Sequence, residues 1–116
     1  MRFKKNDLVI CKPEEDKRND SNKNFEIYAR VIVAETGNVM LDRYMKNGSL
    51  SITQRLEVPE EKYFEGGKVM YQPMNKQEMR LFQKGLRANP NCKRDIISQE
   101  TLNVVTDTLK EKDIER

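Results

Sequence analysis

Between Asn24 and Pro59 the chain alternates apolar and polar residues with a period of two, and that pattern limits its fold most. Phe25, Ile27, Ala29, Val31 and Val33 share one parity, and Glu26, Tyr28 and Arg30 share the other. Successive side chains of a strand point to opposite faces, so this spacing predicts an extended segment over 25–34. After Gly37-Asn38 the pattern restarts as Val39-Met40-Leu41-Asp42 and turns again at Asn47-Gly48. Leu50, Ile52, Leu56 and Val58 then share a parity, interrupted by Gln54. Gly and Asn accept the positive φ of tight hairpins, so the three runs read as an antiparallel meander. A curled meander of this size serves more often as a binding scaffold than as a catalyst.

The flanks extend this reading. Asp7 to Lys12 is a short run of β-formers after the turn signal Lys5-Asn6-Asp7. Residues 13–24 hold no aliphatic side chain and are expected to form a mobile, solvated loop. Lys62 to Gly67 reads as a connector, and Lys68 to Gln72 as a fifth strand ended by Pro73. The character then changes. Asn75-Lys76-Gln77-Glu78 has the form of a capping box, with Met74 and Met79 at the spacing of a hydrophobic staple. Met79, Phe82 and Leu86 fall on one helical face. This helix stops before Asn89-Pro90-Asn91, and a second starts at Ser98 with Leu102, Val105 and Leu109 as its apolar face. The expected architecture is mainly β: a small, closed, five-stranded antiparallel barrel over 1–73, followed by a two-helix C-terminal appendage over 74–116 that packs on it or extends from it.

A chain of 116 residues supports one domain, or a small domain with an appendage. Its charged residues, 35%, nearly equal its hydrophobic ones, 36%, so the core is modest. The formal net charge is +3, and the basic excess is local. From Pro73 to Ser98 the cations Lys76, Arg80, Lys84, Arg87, Lys93 and Arg94 face only Glu78 and Asp95. Arg80, Lys84 and Arg87 are spaced by four and three, which sets them near one helical face, where they could contact anions together.

Several chemistries are excluded. The chain has no histidine, which removes Ser-His and Cys-His nucleophilic arrangements and the commonest metal ligand. Its five glycines form no phosphate-binding loop. Cys11 and Cys92 are too few and too far apart for a disulfide framework or a zinc site. Cys11 reads as a small buried hydrophobe in a strand and Cys92 as a loop residue. No run approaches the roughly 20 apolar residues of a membrane span, and none after Met1 suits a signal peptide. The setting expected is reducing and cytoplasmic, with no catalytic residues, no metal and no cofactor.

Lys5-Asn6-Asp7-Leu8-Val9 resembles the opening turn and first strand of SH3-like small barrels of the Tudor and KOW type, with Asn6 where a Gly is usual. Ile27-Tyr28-Ala29-Arg30-Val31-Ile32 is similar to the second Tudor strand. Leu41-Asp42-Arg43-Tyr44 before Asn47-Gly48 is similar to its third strand and turn, with Arg43 interrupting the Asp-Tyr pair. Leu56-Glu57-Val58-Pro59 resembles its ending. The resemblance covers about residues 5–72. It implies an SH3-like barrel with Tyr28 and Tyr44 as rim aromatics, which could face a cationic ligand.

Together these features predict a non-enzymatic binding module. The preferred role is a protein-interaction adaptor or regulatory accessory protein. The alternative is a nucleic-acid-binding protein that uses the basic 76–94 segment. The partner is then another protein or a nucleic acid, and the C-terminal helices offer a route to a homodimer.

Overall fold

A computed structural model describes residues 3–11, 26–35, 37–45, 50–59 and 71–114. The elements are β1 (Leu8–Cys11), β2 (Ile27–Glu35), β3 (Asn38–Met45), β4 (Leu50–Pro59), β5 (Tyr71–Pro73), α1 (Lys76–Ala88), α2 (Pro90–Arg94) and α3 (Ile96–Ile114). The strands lie in the order β4-β3-β2-β1-β5, all antiparallel. Four strands form the main sheet, and the three residues of β5 add a short ladder to the β1 edge, pairing Val9 with Pro73.

The alternation of β2 and β3 becomes a register in which Tyr28 opposes Tyr44 and Arg30 opposes Asp42. Gly37, at φ 83°, supplies the left-handed residue between these strands. A shift between Val31 and Val33 breaks the ladder and leaves Val33 40% exposed. The opening turn is held by Asn6, which takes φ 76° in place of the usual glycine. Asn tolerates this region better than other non-glycine residues. Its amide N–H donates to the Val31 carbonyl at 2.7 Å, and Val31 N–H donates to the Asp7 carbonyl at 2.9 Å.

Two cores result. On one face Val9, Ala29, Val31, Val39 and Leu41 pack with Phe3 and Tyr71. On the other, Leu8, Ile10, Tyr28 and Tyr44 pack beneath Met74, Met79, Phe82, Leu86, Cys92, Val105 and Leu109. Met74 and Met79 thus fill the seam between sheet and helices.

The expectation of a closed, five-stranded SH3-like barrel with two helices is corrected: the sheet is open and carries three helices. Among the described residues no ladder joins β4 to β5, which stand at opposite edges. The reason lies in the parity read as polar. A small barrel buries one face inside itself and leaves the other to solvent. Here Tyr28, Arg30, Asp42 and Tyr44 are also buried, because α1 and α3 cover that face. The sheet therefore works as a layer between two cores.

The C-terminal third also divides differently. The capping box forms as expected: Asn75 Oδ1 accepts from Glu78 N–H at 2.7 Å, and Glu78 Oε1 accepts from Asn75 N–H at 2.9 Å. After Asn89 the chain makes the extra helix α2, with Pro90 in its first turn and Asn89 Oδ1 accepting from Asn91 N–H. Asp95, in extended conformation, ends α2 and accepts the Ser98 N–H at 3.2 Å, so α3 begins before Ser98 rather than at it. Cys92 is a buried residue of α2, not a loop residue, and Cys11 is half-buried; the two do not form a disulfide. The 13–24 loop, the Asn47-Gly48 turn and residues 60–70 lie outside the described residues.

Candidate functional site

Tyr28 and Tyr44, expected on a rim, are buried, at 1% and 0% exposure. Phe82 of α1 lies against both, with ring centroids 5.3 Å from each and tilted planes. Phe82 lies against both rings and both are buried, so they are core residues rather than rim aromatics facing a cationic ligand. The sequence reading missed that α1 covers these strands. Burial, reinforced by the Glu26 carboxylate that accepts the phenol's hydrogen bond, pushes the Tyr28 phenol up to about 12. Burial first, then the bond to Asp42, raises Tyr44 further.

Around Tyr44 the helices and the sheet meet through polar groups. The Tyr44 hydroxyl donates to the Asp42 carboxylate, and its oxygen lies 2.9 Å from Ser98 Oγ and 3.3 Å from Thr101 Oγ1. Ser98 Oγ donates to Asp95 Oδ2 at 2.6 Å. Arg30 is 1% exposed. Its Nε donates to Thr101 Oγ1 at 2.7 Å, its Nη1 to Asn6 Oδ1 at 2.9 Å and its Nη2 to the Ile97 carbonyl at 3.5 Å. Glu100 Oε2 stands 3.6 Å from Nη2. Thr101 Oγ1 in turn donates to the Ile97 carbonyl at 2.9 Å.

A buried guanidinium is tolerated only when its donors are satisfied, and partners from the opening turn and from α3 provide for it. Arg30, Asp42, Ser98, Thr101 and Asp95 were not singled out by the sequence reading. The available signal was a pair of polar residues, Ser98 and Thr101, three apart on the same helical face as Val105. Burial also raises the Cys92 thiol, against a hydrogen bond to Ser98 that lowers it. The buried part of this cluster joins α3 to the sheet and to the opening turn, with Glu100 at its exposed margin.

The basic residues sit on the outside. Arg80, Lys84 and Arg87 are exposed along α1 and Lys76 is half-exposed, while Met79, Phe82 and Leu86 hold the opposite side in the core. Lys93 and Arg94 are exposed in the last turn of α2. The structure therefore brings four of the six cations onto one helix and puts two on the next. Leu81 of α1 and Ile96 at the start of α3 are 43% and 71% exposed.

A cavity of about 530 Å³ opens between the 3–7 turn, β5, α1 and α3, against Phe3, Leu8, Tyr71, Met74 and Met79. The polar residues at its wall are engaged elsewhere. Asn6 accepts from Arg30, Asp7 accepts from Lys4 N–H at 2.9 Å, and Thr108 donates to the Val104 carbonyl. Among the described residues no group of three His, Cys, Asp or Glu is placed to hold a metal ion, and no helix is long and apolar enough to cross a membrane. The chain matches no protein-family model, no curated protein and no solved structure.

Proposed function

We propose that this chain is a non-enzymatic binding module and acts as a protein-interaction adaptor in the cytoplasm. The observation that carries the reading is the division of labour among its side chains. Tyr44, Ser98, Thr101 and Arg30, the polar groups with the most constrained surroundings, spend their hydrogen bonds joining α3 to the sheet. What the helices leave outside includes Leu81, Ile96 and a series of cations, alongside the exposed carboxylates Glu100, Asp107 and Glu111 of α3. Ile96 lies two residues past Arg94, across Asp95, whose carboxylate is held by Ser98, and an exposed aliphatic near Lys93 and Arg94 suits an apolar pocket with an acidic rim on a partner.

The test is affinity purification from the native host, under nuclease treatment, with wild type, Leu81→Asp and Ile96→Asp. Both residues are exposed, so the variants keep their circular dichroism. A stoichiometric protein partner retained by wild type and lost from Ile96→Asp supports the reading. A strict monomer by light scattering that retains no partner refutes it. A second reading, nucleic-acid association, is favoured by the cations of α1.

A further inference from the structure

We infer that the exposed flank of α1 binds the phosphate backbone of a nucleic-acid duplex, without reading its sequence. Lys76, Arg80, Lys84 and Arg87 stand at i, i+4, i+8 and i+11 of α1. At about 100° per residue these four positions share an arc of about 80°, and at about 1.5 Å per residue they span about 16 Å. The one carboxylate of α1, Glu78, lies outside that arc and is engaged in the capping box. The stripe cannot roll inward. Met79, Phe82 and Leu86 lock the inner face, and Gln83 donates to Thr106 Oγ1 of α3 at 3.1 Å.

The cations thus repeat every 6 Å or so along a rigid rod. One strand of a duplex carries a phosphate about every 3.4 Å of helix axis, so the stripe meets three to four phosphates at once. Exposed Lys93 and Arg94 extend the positive surface just past the end of α1.

Among the described residues, the placement of the rings favours duplex over single strand. Binders of single strands stack bases on exposed aromatics. Phe3, Tyr28, Tyr44, Tyr71 and Phe82 are all buried, so no described aromatic offers a platform. Phosphate contacts position a protein without conferring sequence preference. This surface is distinct from Ile96, and the inference does not depend on the adaptor reading.

The test is fluorescence polarisation of the full chain with 20-base-pair DNA, 20-base-pair RNA, a 20-nucleotide single strand and poly-glutamate, from 50 to 200 mM salt. With about four phosphates engaged, duplex affinity falls about 100-fold across that range, since log affinity varies with log salt at a slope near −0.9 per contact. Arg80→Gln with Lys84→Gln reduces the fall to about tenfold and weakens unrelated duplexes equally. Whichever of DNA and RNA binds more tightly names the duplex. Absence of duplex binding at 50 mM salt, an unchanged slope in the double variant, or tighter binding of the single strand overturns the inference. Competition by poly-glutamate equal to that of duplex also overturns it, in favour of an acidic protein.

Discussion

Replacing Tyr44 by Phe isolates one oxygen at the centre of the sheet–helix seam. The ring remains, and with it the packing on Phe82 at 5.3 Å. The hydroxyl's bond to Asp42 is lost, together with its contacts to Ser98 at 2.9 Å and Thr101 at 3.3 Å. A hydrogen bond to a charged acceptor contributes about 1.5–3 kcal/mol, and a buried acceptor deprived of a donor costs more than a neutral exchange. Asp42 is fully buried, so water cannot replace the donor without opening the structure. The expected loss is about 2–4 kcal/mol. In urea, with a slope of about 2 kcal/mol/M, that lowers the midpoint by 1–2 M or so. Adding Asp42→Asn replaces the buried carboxylate that the hydroxyl donates to, so the double variant is less destabilised than the sum of the singles, with a coupling of about 1 kcal/mol or more. A Tyr44→Phe midpoint within about 0.25 M of wild type, or additive single effects, would refute the claim that this hydroxyl sustains a buried carboxylate.

Other outcomes follow from the same structure. Asn6→Ala loses the bond to Arg30 yet keeps the left-handed strain, and costs about 2 kcal/mol; Asn6→Gly relieves the strain and stays within about 1 kcal/mol of wild type, both read by thermal or urea unfolding. Asn75→Ala removes the cap of α1 and lowers stability by about 1 kcal/mol in the same assay. Burial raises the Tyr28 phenol to about 12 in the fold, above its ordinary value near 10. The fold therefore favours the protonated form. That stabilisation is complete below about pH 10 and is lost as pH rises through about 12. Phenolate absorbance near 295 nm from Tyr28 should rise together with loss of far-ultraviolet dichroism; free ionisation at pH 10 with the fold intact would contradict its burial.

The legible parts of this protein were the local ones. The period of two found β2 and β3, and the Asn75–Glu78 box located the start of α1, because both depend on neighbouring residues. Closure was misjudged because alternation shows two parities but does not show that both can be buried. Tyr28 and Arg30 look like an outward row until α1 and α3 are laid over them, with Thr101 reaching Arg30 from 71 residues away in sequence. The extra helix α2 was hidden by Asn89-Pro90-Asn91, which reads as a break but serves as a cap and first turn. Asp95 was taken only as a charge, although it closes α2 and opens α3. The tyrosines were found as notable residues and placed on the wrong surface for the same reason as the barrel. The cations of α1 needed no tertiary information, since one helical face can be computed from spacing alone.

The inner face of α3 changes chemistry along its length, from Ser98 and Thr101 to Val105 and Leu109. A wholly aliphatic stripe could slide along the sheet by one turn and meet surfaces of similar greasiness. This one cannot. A displacement of about 5.4 Å would carry the two hydroxyls away from Arg30 and Tyr44 and set a guanidinium and a carboxylate against valine. The polar end acts as a detent, giving α3 a single seat, while the aliphatic end supplies most of the grip. Removing the hydroxyls should therefore broaden the set of docked positions before it melts the helix, and hydrogen exchange along α3 would record a loss of uniqueness ahead of a loss of structure.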